Sequence, residues 1–450
     1  MMVKDDSITI AEKAVKLTQK AGADHSEAYV IKGRNLSIQI EDSSIVKANN
    51  KSTSGIGLRV YKDKAVALAS SSQFDAPLLK KMAKDAVSLA SSSAADPDIS
   101  GLAEPVDDYQ EISALYDKEL ATIDSDELVE LAIISLNAAL EKDSSLVVSG
   151  QINVFINDYA IVNSNDIMVE NNRTSLQCYI SSKKMKSDDD IGVGYDYGYG
   201  RSLSVIDFEK IGKTATEKAF RMLGSQKIKS DSYPFILDER AARNTINGIL
   251  SKGISAYEID LGTAFFNDQL GEKIADNSLT VIDNPLEEGG IRSRTFDDEG
   301  VPCQKLVLIE EGSLLTYLSD VYTANKLKIP ITGSASKRGY DGIPHPALTQ
   351  IQIEPGDSSK EELFEQLDTG LYLESPLFAM AGTNISQQVD VGFWVENGEI
   401  QYPVKNTMVG TTVYDVLKNI QMVGKDLLNE AGLKSPMILF GESRFSSGKR

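Results

Sequence analysis

Two long stretches of strand character, residues 146–162 and 167–181, constrain the fold more than any other feature of the sequence. Runs of this kind commit the chain to a sheet, and the helical patterns around them say what covers it. Upstream, Thr9 and Glu12 fit a capping box, in which a hydroxyl accepts from a first-turn amide and a carboxylate reaches back. Ile10, Ala14, Leu17 and Ala21 then form one helical stripe, and Gly22 ends it. Alternating runs at 29–31, 36–40, 55–61 and 65–69 read as further strands, with Lys62-Asp63-Lys64 as a tight connection between the last two. Ile56, Leu58 and Val60 share one face, while Gly55 and Gly57 leave room for a neighbouring backbone.

A second helix spans 75–91 and turns Leu78, Leu79, Met82, Ala86 and Leu89 inward. Pro97, Gly101 and Pro105 make 94–108 a surface connector. Ser125 caps a third helix with Leu128, Leu131, Ala132, Leu136 and Leu140 at helical spacing, and a fourth at 207–223 ends at Gly224. The polar segment 225–232 is the principal boundary. It divides an N-terminal α+β domain, 1–228, from a C-terminal β-rich domain, 229–450. Beyond it, 233–237 is a strand, and Asp238 caps a helix reaching about residue 251. Further helices fall at 320–327, 359–369 and 411–428, and Asn397-Gly398 gives the clearest hairpin turn. Helices and strands mix without strict βαβ alternation, so the fold class is α+β.

Charge and composition exclude several functions. The net charge of −20 repels phosphate backbones, which argues against direct nucleic-acid binding. No run approaches the roughly 20 apolar residues of a membrane helix. Residues 1–6 include two acidic groups and lead into an amphipathic pattern, so no signal peptide is expected. The two cysteines, Cys178 and Cys303, fit a reducing cytoplasm better than a disulfide framework. The two histidines, His25 and His345, lie too far apart to hold zinc from one helical face.

Candidate motifs are weak one by one. The tract 192–200 (GVGYDYGYG) fails the dinucleotide pattern and reads as a flexible loop. Asp188-Asp189-Asp190 and Asp297-Asp298-Glu299 read as solvated loop charge, the second within a turn flanked by strands. Ser-x-x-Lys recurs at Ser44/Lys47, Ser181/Lys184 and Ser334/Lys337, as chance allows in a Ser- and Lys-rich chain. No Gly-x-Ser-x-Gly elbow exists, and neither histidine has local support for a triad.

Three blocks together carry a family likeness: GIGLRV at 55–60, FDDEGVP at 296–302, and GFWVENGEI at 392–400 followed by Pro403-Val404. With MVGKDL at 422–427, their order resembles the TldD/PmbA family of cytosolic metallopeptidases over essentially the whole chain. In that family, TldD-type subunits look like zinc proteases with a His-Glu-x-x-x-His helix and a later ligand, whereas PmbA-type subunits, also called TldE, lack the motif. The corresponding helix here, 238–255, contains no His, and no cysteine follows Cys303. The likeness is therefore to the PmbA/TldE branch, and no catalytic or metal-ligating residue carries over.

The resemblance implies a cytoplasmic two-domain subunit with no cofactor of its own. It would pair with a TldD-like, zinc-bearing partner as a heterodimer, or with itself as a homodimer, and process peptide substrates in a closed chamber. Any effect on DNA gyrase would then be indirect. Asp297, Asp298, Glu299 and Asn384 are the candidate peptide- or channel-lining residues, from turn location and motif likeness. A second reading is a stand-alone homo-oligomeric module that binds peptides or proteins. A third is an autonomous hydrolase using Asp297, Asp298 and Glu299.

Overall fold

The computed structural model describes residues 6–448. Residues 1–5, most of the stretch relevant to a signal peptide, lie outside the described residues. The N-terminal half is built on one antiparallel sheet of β1 (His25–Glu41), β2 (Ser44–Lys62), β3 (Ala65–Ser71), β4 (Val147–Asn163), β5 (Met168–Ser187) and β6 (Asp190–Gly200). Their spatial order is β3-β2-β1-β4-β5-β6. The helices are α1 (Ser7–Lys20), α2 (Ala76–Ser92), the short α3 (Lys118–Thr122), α4 (Ser125–Leu140) and α5 (Phe208–Arg221). The two long strand runs become neighbours, β4 and β5, paired from Val147↔Lys183 to Val162↔Met168. The runs expected at 29–31 and 36–40 are one strand, because the polar residues between them pair with β2 on one side and β4 on the other.

Period-two alternation gives each face of this sheet its own task. Ala28, Val30, Leu36, Ile38 and Ile40 of β1 share a face and are all buried. Ala28 and Val30 pack with Ile10, Ala14, Leu79 and Met82 of α1 and α2, whereas Leu36, Ile38 and Ile40 pack with Leu128, Ala132 and Ile211 of α4 and α5. Burying each such Leu or Ile stabilises by roughly 1.5–3 kcal/mol relative to exposure. Glu27, Tyr29 and Ile31 point the other way, toward the C-terminal half. Gly55 and Gly57 of β2 lie on that second face, and the room they leave is filled: a Cβ at Gly57 would sit 1.6 Å from the Tyr340 carbonyl oxygen.

Several local expectations change. Helix α1 is capped by Asp6, whose carboxylate accepts from the Thr9 amide at 2.8 Å, rather than by Thr9. Helix α4 is capped by Asp124 with Glu127 completing the box, not by Ser125. In both cases a carboxylate just upstream outcompetes the hydroxyl, since negative charge is favoured at a helix N-terminus. The buried stripe of α2 is Leu79, Met82, Ala83, Ala86, Val87 and Ala90, so Leu89 faces solvent at 53% exposure and Leu78 is only half-buried. The helix expected at 411–428 is limited to Val413–Lys418, because Ile420–Val423 joins a sheet with Ile438–Ser447.

The glycine tract is not a loop. It is β6, an edge strand whose glycines let α5 approach its backbone. A Cβ at Gly194 would lie 2.2 Å from the Ala219 amide nitrogen and 2.4 Å from the Ala215 carbonyl oxygen. Alternation of glycine and tyrosine is thus a strand period with the empty side toward a helix. Gly194→Ala is expected to destabilise by about 3 kcal/mol, the upper end for overpacking, because helix backbone rather than a side-chain tip must move. Urea unfolding measures this, and an unchanged midpoint would refute the close packing.

In the C-terminal half, β7 (Asp231–Leu237) leads into α6 (Glu239–Gly253). Strand β7 lies inside a nine-stranded sheet, parallel to Gly370–Leu373 and antiparallel to Ile438–Ser447. A second, six-stranded sheet includes Val281–Asp283, Leu306–Glu310 and Ile351–Ile353. Phe235, Ile246, Leu250, Phe266, Leu308, Leu371 and Phe440 are buried in one core with α6 across it. Asn397 and Gly398 have φ of 52° and 72° and close the expected hairpin between Gly392–Glu396 and Glu399–Pro403. The fold is α+β, with a strand-rich C-terminal region. Among the described residues no helix is long and apolar enough to cross a membrane.

Candidate active-site region

Helix α6 begins because Asp238 accepts from the Ala241 amide at 2.6 Å. Ala241, Ala242, Ile246, Ile249 and Leu250 bury its inner stripe. Arg240 and Arg243 reach across to β6 and to Glu430, at the end of the strand Leu428–Glu430. Arg240 donates through Nε to Glu430 at 2.7 Å and through Nη2 to the Tyr197 carbonyl at 3.1 Å, and it pairs with Asp196. Its guanidinium also lies 4.2 Å from the centre of the Tyr197 ring. Arg243, 2% exposed, pairs with Glu430 at 2.9 Å and donates to the Tyr199 hydroxyl at 3.1 Å. Of these side chains, Asp196, Tyr197, Tyr199, Arg240 and Glu430 border a groove of about 640 Å³, together with Glu287.

The FDDEGVP turn sits elsewhere along the same contact between the halves. Asp297 is fully buried, and its carboxylate accepts from the amides of Glu299 at 2.9 Å, Val301 at 3.0 Å and Ala335 at 3.0 Å. Gly300, at φ +80°, lets the turn close so that Phe296 bridges Pro302. Glu299, 1% exposed, accepts from Arg59 at 2.7 Å and from the amide of Val321 at 2.8 Å, at the start of the helix Val321–Leu327. Arg59 also donates to Glu27 at 2.8 Å, and Lys337 donates to Glu27 at 2.6 Å. Burial pushes the Asp297 and Glu299 carboxyls above their ordinary values, against the opposing pull of Arg294 and Arg59 respectively. Burial acts the same way on Glu27, but Arg59 and Lys337 overcome it and hold that carboxyl below its ordinary value.

This placement corrects the reading of Asp297-Asp298-Glu299 as solvated charge. Asp297 and Glu299 are sealed inside and present no surface to a channel, whereas Asp298 borders a cleft. The Asp297 and Glu299 carboxylates are held by backbone amides and, for Glu299, by Arg59, which argues against either as a free base, while Asp298 accepts from the Lys337 amide at 2.7 Å. Asn384 is exposed on Asn384–Gln388, paired with Thr412 in the nine-stranded sheet and not gathered to this turn. Asp190, of the other acidic run, accepts from the Gly224 amide at 2.7 Å. Lys337, met in a Ser-x-x-Lys pattern, is indeed desolvated, its side chain 4% exposed, but it is ion-paired to Glu27. Arg59, Glu27, Arg240, Arg243, Asp196 and Glu430 were not legible as site residues. The available hints were the arginines in the first two turns of α6 and the place of Arg59 in the GIGLRV block.

TldD-type members of the resembled family look like zinc proteases, whereas the described donor groups of this chain are poorly placed for that metal. Among the described residues no group of three or more His, Cys, Asp or Glu side chains is arranged to hold a metal ion. Burial pushes both cysteine thiols up to about 12, so they are poor thiolate donors, and Cys303 Sγ donates to the Gly333 carbonyl at 3.2 Å. His25 lies 3.3 Å from the Asn165 side-chain oxygen, and His345 packs 4.2 Å from the Tyr257 ring. On α6, two guanidinium groups stand where a cation would have to approach Glu430. The described residues do not fit zinc.

Residues 26–90, 118–223 and 230–447 match, in turn, the family models for PmbA/TldA metallopeptidase domain 1, central domain and C-terminal domain. The chain belongs to the PmbA/TldD metallopeptidase family. A relative from Haemophilus influenzae, named Metalloprotease PmbA homolog, is 28% identical over 448 residues, 96% of this chain and 94% of that protein. A Metalloprotease TldD homolog of Buchnera aphidicola is 24% identical over 450 residues, 96% of this chain and 91% of that protein. The crystal structure of TldE from Thermococcus kodakarensis shares the fold at a TM-score of 0.87 and 24% identity, over 97% of this chain and 99% of that one. In this PmbA/TldD-family chain the arginine-bearing helix α6 falls within the C-terminal family domain, and β6 with its tyrosines within the central one.

Proposed function

We propose that this chain is a PmbA/TldE-type subunit of a peptide-processing metallopeptidase, and that a TldD-like partner carries the zinc. The observation that carries this reading is α6, where Arg240 and Arg243 are both paired to Glu430. A helix so arranged borders the groove through Arg240, carries no histidine and has Glu239 as its one carboxylate, too few donors to hold zinc. The family match supports peptide processing as the setting. The groove beside Tyr197 and Tyr199, together with outer strands such as Glu399–Pro403, suits substrate held in extended form, since an edge strand can pair with one more. Two buried free thiols fit a reducing cytoplasm. The net charge of −20 favours an indirect route for any effect on DNA gyrase.

Native mass spectrometry and peptide hydrolysis, on this chain with and without a TldD-like partner, test the proposal. A mixed complex with hydrolysis confined to the mixture is expected. A self-associated chain that ignores the partner would favour the stand-alone binding module instead.

A further inference from the structure

A cleft of about 370 Å³ lies between the first sheet and the segments that carry Arg294 and Lys337. Its charge opposes that of the whole molecule. On a chain of net charge −20 it is lined by Arg173, Arg292, Arg294, Lys337 and Arg338 against Asp298. Two of these cations are matched: Lys337 pairs with Glu27 at 2.6 Å, and Arg294 lies 3.8 Å from Asp298. Among the described residues, Arg173, Arg292 and Arg338 make no ion pair.

Arg173, on β5, is the telling residue. Its guanidinium lies 5.2 Å from the centre of the Tyr159 ring, and its Nε is buried with no hydrogen-bond partner. The Nε of Arg294, a residue 6% exposed, is buried and unpartnered in the same way. Both guanidinium groups border one cavity, which also takes in Arg292 and Arg338, so three arginines without an ion pair share it. Burial, then the nearby Arg294, lowers the Arg173 pKa from its ordinary value, although Asp298 pulls the other way. Burial raises the Tyr29 and Tyr159 phenols above theirs, so both hydroxyls remain protonated and able to donate.

We propose that this cleft binds one oxyanion, a carboxylate or a phosphate group, with Arg173 as its principal anchor and Arg294 and Arg338 beside it. Planar guanidinium donors match the paired oxygens of either group. The site does not depend on the metal-free reading of α6. Its ligand has two sources, the terminal carboxylate of a peptide and a phosphate.

Isothermal titration of the full chain at low ionic strength separates them, with inorganic phosphate, N-acetyl-trialanine as the free acid, and the same peptide as its amide. One or both oxyanions are expected to bind at a single site while the amide does not, and the arm that responds names the source. Arg173→Gln is expected to weaken that binding by about tenfold or more, and Arg173→Lys by less. The Gln variant removes an unmatched charge and should fold, with a Tm no lower than the parent without anion. Arg338→Gln, on the exposed side of the cleft, gives the same comparison should it not. No binding of either oxyanion, or binding undiminished in both Gln variants, would overturn the proposal.

Discussion

Arg59→Met is expected to lower the stability of the chain by about 3–5 kcal/mol, the cost of removing one partner from a buried ionic network. Arg59 is 6% exposed and sits between Glu27 and Glu299, so its loss strands two carboxylates in a dry interface. Glu27 keeps Lys337, but Glu299 keeps only the Val321 amide among its strong donors. Without the guanidinium both carboxyls hold their protons to higher pH in the folded state. The deficit should therefore be largest above neutrality and shrink as the pH falls toward 5. Adding Glu299→Gln should recover part of it, because the second change removes the stranded charge. Urea unfolding at pH 8 and pH 5 measures both statements. A loss below about 1 kcal/mol would mean that this network contributes no more than a surface pair.

Asp238→Asn is expected to stabilise the chain by about 2–4 kcal/mol at pH 8 and by little near pH 4. Asparagine caps a helix as well as aspartate does, so the bond to the Ala241 amide survives the change. Burial, with Glu374 and Glu239 adding to it, pushes the Asp238 carboxyl up to about 7. Unfolded, the same carboxyl holds its proton only to about pH 3.9. Between those values the folded state binds the extra proton, so stability falls as pH rises through this window. At about 1.4 kcal/mol per tenfold change in proton affinity, the native penalty above pH 7 approaches 4 kcal/mol, less a few tenths for the lost charge at the helix start. Thermal or urea unfolding of both proteins from pH 4 to pH 8 gives the difference directly. A variant less stable than the parent at pH 8 would show that Asp238 is ionised and needed as an anion.

The contrast between these two sites shows what a sequence reveals and what it hides. Asp238 was legible as a cap because a cap is local: the acid and the amide it accepts from lie within one turn, and the apolar stripe follows directly. The sheet was legible for a similar reason, since alternation in β1, β4 and β5 is written in consecutive residues. Fine register was less so. In α2, Leu78, Leu79 and Leu89 all read as inward, whereas the structure buries Leu79, leaves Leu78 half-buried and turns Leu89 to solvent. In β6 the alternation was present, but glycine's link with loops concealed it until α5 supplied a reason for small residues. The buried charges were invisible on principle. Arg59 and Glu299 are 240 positions apart, and nothing local to either distinguishes a buried arginine or acid from the many on the surface. Three acids in a row suggest hydration, and only the fold shows Asp297 wrapped by three amides and Glu299 locked to Arg59.

The account rests on α6 offering arginine where a zinc site would need ligands, and metal content tests that most directly. Elemental analysis of the isolated full chain, purified without chelators and then dialysed, is expected to find well under about 0.1 zinc per chain. Zinc near one per chain, retained through dialysis and matched by peptide hydrolysis that a chelator abolishes, would contradict it.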